Sequence, residues 1–315
     1  MNIIFLDKPA HPFFADKLGE LGHEITHATD WSRARILAEI SDFDALMVRS
    51  GVRIDQELLL AGQPKLKTVA RWGVGLEHID LEAAEKLGIS VHNSPEGSMH
   101  AVAEHTVGMI LMLMNHLGRA ERQLRQGEWL RRPNTGVELR GKTVGLIGYG
   151  NMGKQTAKRL VGFGCEVIAH DKFLSDYGDN YAKAVSLAEL QARAQVVSLH
   201  IYAEGNHHYA NQEWFESFNY PIWLINTARG IVCDTASLVG AIESGRVIGA
   251  ALDVHEHESM SFTEVDMDKL PESFRYLVQS NQVVLTPHIA GWSEEAEEGH
   301  ARVLIQKMFE LDGET

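Results

Sequence analysis

Cysteine is scarce in this sequence. The 315 residues contain two, Cys165 and Cys233, and both are surrounded by apolar residues. We therefore expect buried free thiols rather than a disulfide, which is typical of a reducing compartment. On this basis we expect a cytoplasmic protein.

Positive charge is also in short supply. Lysine and arginine number 29 against 43 aspartate and glutamate residues, which gives a net charge of −14. This balance argues against a nucleic-acid partner, which would need a basic surface. It does not exclude an anionic small molecule, because a few local arginines can reverse the field inside a cleft.

Long hydrophobic runs are missing. The most apolar run, residues 107–114, is much shorter than the roughly 20 residues that cross a membrane, so it predicts a buried helix. Residues 2–6 are too few for a signal-peptide core and lack a basic flank, so they predict a first strand. No membrane partner is expected.

Strand-like and helix-like segments alternate through both halves of the chain. In the first half we predict strands at 3–6, 25–26, 45–48, 68–70 and 90–92, and helices at 12–21, 32–40, 55–61 and 81–87. In the second half we predict a long helix at 101–121, strands at 143–147, 166–170, 196–199, 223–226, 247–252 and 283–286, and a final helix at 294–311. Residues 259–281 read as an irregular connection with short helical turns. The alternation predicts an α/β protein with two Rossmann-like domains and parallel sheets.

A dinucleotide-binding pattern follows the first strand of the second half. Gly148, Gly150 and Gly153 have the spacing G-x-G-x-x-G and precede a helix-like run and a strand that ends at Asp171. The glycines allow a tight turn, room for a pyrophosphate and close helix–strand packing. Asp171, 18 residues after Gly153, would accept hydrogen bonds from the adenosine ribose and repel a 2′-phosphate. The pattern predicts NAD rather than NADP; the alternative is a flavodoxin-like domain whose glycine turn binds nothing.

Polar or glycine-rich segments follow six predicted strands. Open parallel sheets bind ligands at the carboxyl ends of their strands. We therefore expect these segments to converge on one cleft between the two domains. They are Arg49 with Ser50, residues 73–75, Asn93, Arg229, Asp253 and His288.

Arg229, Glu258 and His288 form a candidate catalytic set. Removing a hydride from a hydroxyl-bearing carbon needs a base for the hydroxyl proton, and the reverse reaction needs an acid. Histidine suits both tasks, and a carboxylate beside it orients the ring and favours its charged form. An arginine can hold a substrate carboxylate and polarise the carbonyl group.

Four motifs in order now identify a family resemblance. Residues 145–153, 226–230, 252–258 and 286–291 resemble the signatures of the NAD-dependent D-2-hydroxyacid dehydrogenases, and together they place nearly the whole chain in that family. The resemblance implies that residues 99–291 form an NAD-binding domain. This domain is inserted into a substrate domain made of residues 1–98 and 292–315.

The resemblance also implies roles for individual residues. His288 would be the acid/base, supported by Glu258, and Arg229 would bind the substrate, while Asp253 would contact the nicotinamide amide. The cofactor-binding set is Gly148, Gly150, Asn151, Met152, Gly153, Asp171, Thr227, Ala228, Asp253 and Gly291. The substrate-binding set is Arg49, Ser50, Val74, Gly75 and Asn93. A homodimer formed through the cofactor domain, with a hinge that closes the cleft, is implied as well.

A narrower resemblance connects the chain to short D-3-phosphoglycerate dehydrogenases without a regulatory domain. Residues 75–80, 93–97, 127–131 and 288–292 carry it. It implies oxidation of D-3-phosphoglycerate to 3-phosphohydroxypyruvate, the entry step to serine. The phosphate would need cations, for which the candidates are Arg49, Arg53, Arg71, Arg131 and Arg132. The alternatives are a glyoxylate, hydroxypyruvate or other 2-keto-acid reductase, and a non-catalytic NAD(H)-sensing protein that binds partners.

Some positions depart from the family pattern or suggest other chemistry. Ser259 and Tyr202 stand where proline is usual, and His78 replaces a frequent asparagine. The run from His255 to Glu258 resembles a metal cluster. However, no third ligand is near in sequence, and the family motif explains Glu258 without a metal. We therefore predict no metal.

Overall fold

The computed structural model describes residues 1–8, 11–258 and 269–310. The strands are β1 Asn2–Phe5, β2 Glu24–His27, β3 Ala45–Val48, β4 Thr68–Arg71, β5 Ser90–Asn93, β6 Thr143–Ile147, β7 Glu166–His170, β8 Lys183–Ala184, β9 Val196–Leu199, β10 Ile222–Asn226, β11 Val247–Leu252 and β12 Val283–Leu285. The helices are α1 Phe13–Glu20, α2 Arg33–Glu39, α3 Gln56–Ala61, α4 Leu81–Lys86, α5 Pro95–Met114, α6 Leu117–Arg125, α7 Asn151–Leu160, α8 Leu187–Arg193, α9 Gln212–Glu216, α10 Thr235–Glu243, α11 Glu272–Gln279 and α12 Glu294–Phe309. None of these helices is both long and apolar enough to cross a membrane.

The first compact unit comprises Met1–Met99 and Trp292–Thr315. Its five parallel strands have the order β2-β1-β3-β4-β5. The central strands β1 and β3 are apolar along almost their whole length, because a parallel sheet is covered on both faces. Helix α12 returns to this unit and packs Leu304 and Ile305 into the same core as Phe5 and Trp72.

The second compact unit comprises His100–Gly291. Its seven parallel strands have the order β12-β11-β10-β9-β6-β7-β8. Numbered within the unit, the first six strands have the order 3-2-1-4-5-6 of dinucleotide-binding folds, and the last strand extends the sheet beyond them. The predicted fold class, an α/β protein with two Rossmann-like parallel sheets, is confirmed. The functional roles assigned to the two units stay predictions here.

The long helix predicted at 101–121 is two helices in the structure. Helix α5 ends at Met114, and α6 starts after His116, whose φ of 53° is left-handed. The Met114 carbonyl accepts a hydrogen bond of 3.0 Å from Val137 N, so a distant segment takes up the carbonyl at the helix end. A periodicity argument cannot detect such a long-range partner.

The ends of other elements also differ from the predictions. The connection at 259–281 contains α11, which buries Phe274 and Leu277, while residues 259–268 lie outside the described part of the chain. Helix α12 ends at Phe309, and residue 311 lies outside the described residues. The two-residue strand β8 carries no periodicity and was not predicted.

Candidate active site

The glycine-rich turn lies between β6 and α7. Gly148 has φ +96°, and a Cβ there would lie 2.4 Å from the His200 carbonyl oxygen. A Cβ on Gly153 would lie 2.2 Å from the Gly148 oxygen, whereas a Cβ on Gly150 would meet nothing within 4 Å. Two glycines are thus needed for packing, and the third faces open space. The α7 N-terminus, which starts at Asn151 and Met152, has no side-chain cap, so its first N–H groups can receive a pyrophosphate. The turn fits NAD.

Asp171 directly follows β7, beside this turn. Its carboxylate accepts hydrogen bonds from the N–H groups of Tyr149 at 2.7 Å, Phe173 at 2.9 Å and Leu174 at 3.0 Å. Burial opposes ionisation of this carboxyl, but the three N–H donors outweigh it and lower its pKa. The group that would discriminate between NAD and NADP is therefore held as an anion.

Asp253 follows β11 and organises the segment after β12. Its carboxylate accepts hydrogen bonds from Thr286 Oγ1 at 2.6 Å, Ile289 N at 2.9 Å and Ala290 N at 2.8 Å. His105 Nε2 of α5 lies 3.5 Å away. Burial opposes ionisation, but these donors lower the pKa of Asp253 to about 2. The Asp253 side chain is 1% exposed, and its hydrogen bonds hold the residues around His288 in place.

His288 and Glu258 form a hydrogen-bonded pair. His288 Nδ1 lies 3.1 Å from Glu258 Oε2, and the two side chains are 30% and 21% exposed. The His288 backbone has φ 55°, and its N–H donates a 2.7 Å hydrogen bond to the Asp253 carbonyl. The left-handed backbone and the Asp253 contacts together fix where the ring lies relative to Glu258.

Arg229 follows β10 on a turn held by Asn226. The Asn226 side chain accepts a hydrogen bond from Ala228 N and donates one to the Arg229 carbonyl, both at 3.0 Å. Thr227 Oγ1 lies 2.9 Å from Thr106 Oγ1 of α5, and Ala228 is buried. Gly291, the last residue of this unit, directly follows the Ala290 that Asp253 holds.

Three of the predicted substrate residues of the first unit lie at the ends of two neighbouring strands: Val74 and Gly75 in the loop after β4, and Asn93 as the last residue of β5. Asn93 Nδ2 donates a 2.7 Å hydrogen bond to the Val74 carbonyl, and Arg71 Nε donates one of 2.7 Å to the Gly75 carbonyl. Gly73 has φ +128°, a conformation that side chains rarely adopt. The structure brings Val74, Gly75 and Asn93 together.

Arg49 and Ser50 follow β3, the strand that pairs with β1 in the sheet. Asp7, which lies after β1, accepts a 2.6 Å hydrogen bond from Arg49 N. The Arg49 guanidinium lies 3.1 Å from Glu297 and 5.4 Å from the ring centre of Trp292. The cation predicted to bind an anionic substrate is thus paired with a carboxylate of α12.

The other candidate phosphate ligands differ in their surroundings. Arg71 is half-buried and donates to the Gly75 and Trp72 carbonyls. Arg53 is exposed in the first unit, whereas Arg131 and Arg132 are exposed in the second. Arg49 and Arg71 are the candidates that adjoin the predicted substrate loops.

His255 and Glu258 have separate hydrogen-bond partners and do not form a common metal site. His255 Nε2 lies 2.9 Å from the Thr286 carbonyl, and Glu258 pairs with His288. Within the described residues, the group whose ligand atoms all lie within 4.8 Å of one another is instead His208, Asp234 and Glu256.

The departures from the family pattern lie in different surroundings. Burial and nearby Arg71 lower the pKa of His78 to about 4. Tyr202 is exposed, and Ser259 lies outside the described residues.

Sequence reasoning missed four residues that contact the candidate residues or their neighbours, each within its own unit: Asp7, His105, Glu256 and Glu297. Asp7 follows a strand, so the strand-end rule that found Arg49 could have found it. The other three act through contacts between segments far apart in sequence, for which the chain carries no local signal.

Comparison with known proteins identifies the family. Residues 107–290 match the family described as D-isomer specific 2-hydroxyacid dehydrogenase, NAD binding domain. A hydroxypyruvate reductase of Thermotoga maritima is 35% identical over 96% of this chain and 95% of its own length. A D-3-phosphoglycerate dehydrogenase of Archaeoglobus fulgidus is 33% identical over 98% of this chain but 57% of its own length.

A solved structure shows the same fold. The D-lactate dehydrogenase of Aquifex aeolicus, complexed with NAD and lactic acid, superposes with a TM-score of 0.82 at 30% identity, over 98% of this chain and 95% of the other. The chain therefore belongs to the NAD-dependent D-isomer-specific 2-hydroxyacid dehydrogenases.

Proposed function

We propose that this enzyme transfers a hydride between NAD(H) and a D-2-hydroxy acid through His288, Glu258 and Arg229. The observation that carries the assignment is the 3.1 Å contact between His288 and Glu258, on a segment fixed by the ionised Asp253. A histidine paired with a carboxylate is the arrangement that proton transfer to or from a substrate oxygen requires.

Each side chain has one task in the reductive direction. The glycine-rich turn would hold NADH, which would supply the hydride. His288 donates a proton from Nε2 to the substrate oxygen, while Glu258 accepts the hydrogen bond from Nδ1 and stabilises the charged ring. Arg229 binds the substrate carboxylate and polarises the carbonyl group. The first unit, with Arg49, Ser50, Val74, Gly75 and Asn93, serves as the substrate domain.

The proposed substrate pair is D-3-phosphoglycerate and 3-phosphohydroxypyruvate, a reaction that begins serine biosynthesis. The motifs at 75–80 and 93–97, the similarity to a D-3-phosphoglycerate dehydrogenase and the two arginines beside the substrate loops support it. An arginine fork binds phosphate well, so a small number of arginines is enough for this role.

Hydroxypyruvate is the second candidate. Glu297 pairs with Arg49 and also accepts a 2.8 Å hydrogen bond from Trp72 Nε1, so its carboxylate is held in place beside one of the candidate phosphate ligands. A fixed carboxylate there disfavours a doubly charged phosphate. The hydroxypyruvate reductase relative also matches over nearly its full length.

The test follows NADH absorbance while the enzyme reduces 3-phosphohydroxypyruvate, hydroxypyruvate, glyoxylate or pyruvate. A higher kcat/KM for the phosphorylated acid supports the first substrate, and the reverse order supports the second. Glu297→Gln provides a matched control: if Arg49 binds the phosphate, this variant raises the preference for the phosphorylated acid. Absence of turnover despite NADH binding would contradict the dehydrogenase proposal and favour an NAD(H) sensor.

A homodimer and a cytoplasmic location complete the proposal. The second unit exposes apolar side chains between residues 117 and 137, including Trp129, which is 78% exposed. Such residues on one unit support an interface through the cofactor domain. Both cysteines are free thiols, which suits a reducing compartment.

A further inference from the structure

Glu256 joins two segments that each carry a proposed catalytic residue. It lies after β11, two positions before Glu258. Its Oε1 is 2.6 Å from His208 Nε2, and its Oε2 accepts a 3.0 Å hydrogen bond from Thr235 N. The Glu256 side chain is 14% exposed and the His208 side chain 36%, so the carboxylate is mostly buried while its histidine partner reaches the surface.

One partner of Glu256 lies in the segment that follows β10, and the other is hydrogen-bonded to that segment. Thr235 begins α10, six residues after Arg229. His208 is attached to the same stretch, because its N–H donates a 2.9 Å hydrogen bond to the Ile231 carbonyl. A second hydrogen bond between the two stretches, from Ala210 N to the Val232 carbonyl, measures 3.0 Å. Glu256 is therefore fastened at two points to the segment that carries Arg229.

The two segments also meet backbone to backbone at Gly230. A Cβ on this glycine would lie 2.1 Å from the carbonyl atoms of His255 and 2.6 Å from the backbone nitrogen of Glu256. There is no room for a side chain between the segments. The position of Glu258 relative to Arg229 thus depends on the contact between these two segments. The side chain of Glu256 adds hydrogen bonds next to that contact.

We propose that Glu256 is a positioning residue that, held by His208 and Thr235, sets where Glu258 and Arg229 lie relative to each other. The inference rests on the proposed function, since it concerns the placement of its catalytic groups. Burial opposes ionisation of Glu256, but hydrogen bonds from Thr235 and His208 lower its pKa, so the contact to His208 involves an anion. Small displacements of catalytic groups cost large factors in rate.

The experiment compares the kcat and the NADH affinity of Glu256→Ala with those of Glu256→Gln. The buffer contains EDTA, so that a cation bound to His208 and Asp234 does not affect either quantity. The amide oxygen of Gln can still accept the Thr235 N–H bond. We expect Glu256→Ala to lower kcat roughly ten- to hundredfold. Glu256→Gln should retain most of the rate, and NADH affinity should change less than twofold in both.

The matched control is Glu166→Ala. Glu166, like Glu256, is a partly buried hydrogen-bond acceptor, with Lys183 and Arg193 among its donors, but it begins β7 at the opposite end of the sheet. Loss of its carboxylate should leave kcat unchanged.

A double-mutant comparison separates positioning from general structural support. In a Glu258→Gln background, adding Glu256→Ala should lower kcat by less than twofold, because the group being positioned has already been replaced. An equal loss in both backgrounds, or a full rate in Glu256→Ala, would overturn the inference. If Glu258→Gln alone keeps the full rate, the proposed function itself fails, and the two failures are thus distinguishable.

Discussion

At the scale of single residues, hydrogen bonds are the main reason that Asp171 and Asp253 have lowered pKa values. The N–H groups that lower the pKa of Asp171 come from its own loop and from the glycine turn. For Asp253, His105 of α5 and donors from the segment that holds His288 lower the pKa. In both cases hydrogen bonds stabilise the negative charge, which ties the charge to the correct fold of the loop.

Replacing Asp171 by Asn tests its proposed role in cofactor choice. Asn keeps an acceptor for part of the N–H set but removes the charge that would repel a 2′-phosphate. We expect the ratio of kcat/KM for NADPH over NADH to rise at least about tenfold, a change of roughly 1.4 kcal/mol. Asp176→Asn, an exposed carboxylate in the same loop, is the control and should leave the ratio unchanged. A wild-type enzyme that already prefers NADPH would refute the assignment.

At the scale of elements, strand ends were easier to predict than the contacts between them. The buried strands β1, β3 and β6 were predicted because an apolar run bounded by turns has a local signature. Arg49, Arg229, Asp253 and His288 followed from the strand-end rule and from motif order. The break at His116, the small strand β8 and the Glu256 contact depend on partners far away in sequence, so no local pattern could indicate them.

Asp253 connects the end of β11 to the segment after β12, and its ionisation makes this connection depend on pH. Its folded pKa of about 2 lies below the unfolded value near 3.8, so its contribution is present above pH 4 and is lost as the pH falls to 2. Asp253→Asn should therefore lower the free energy of unfolding at pH 7 by about 2 kcal/mol.

The difference between wild type and Asp253→Asn should shrink between pH 4 and pH 2, as measured by urea unfolding. The exposed Asp16→Asn is the control and should show no such difference. A constant difference between the two proteins across this pH range would show that the ionised carboxylate is not what holds the segment.

At the scale of the whole molecule, the fold could be predicted but the assembly could not be read from local patterns. The alternation of strands and helices was enough to predict two parallel sheets, and a family resemblance implied the dimer. In the second unit, Leu117 and Leu124 are seven residues apart on α6, which places them on one helix face, and both are more than half exposed.

We expect the native mass in solution to be twice the 35.1 kDa chain mass. Replacing Leu124 and Trp129 together by Glu should yield a monomer in analytical ultracentrifugation, because charges would then stand in an apolar interface. Glu128→Gln, a neighbouring exposed position, is the control. A wild-type monomer would contradict the proposed homodimer.

The central claim is that His288 transfers the proton during hydride transfer, and His288→Asn tests it most directly. Asn tolerates the left-handed backbone at this position, so the substitution removes the imidazole without adding strain. The measurement is the rate of NADH oxidation with the preferred keto acid, alongside NADH affinity from nucleotide fluorescence. We predict a loss of roughly 10²- to 10⁴-fold in kcat with NADH affinity retained; an unchanged kcat would contradict the account.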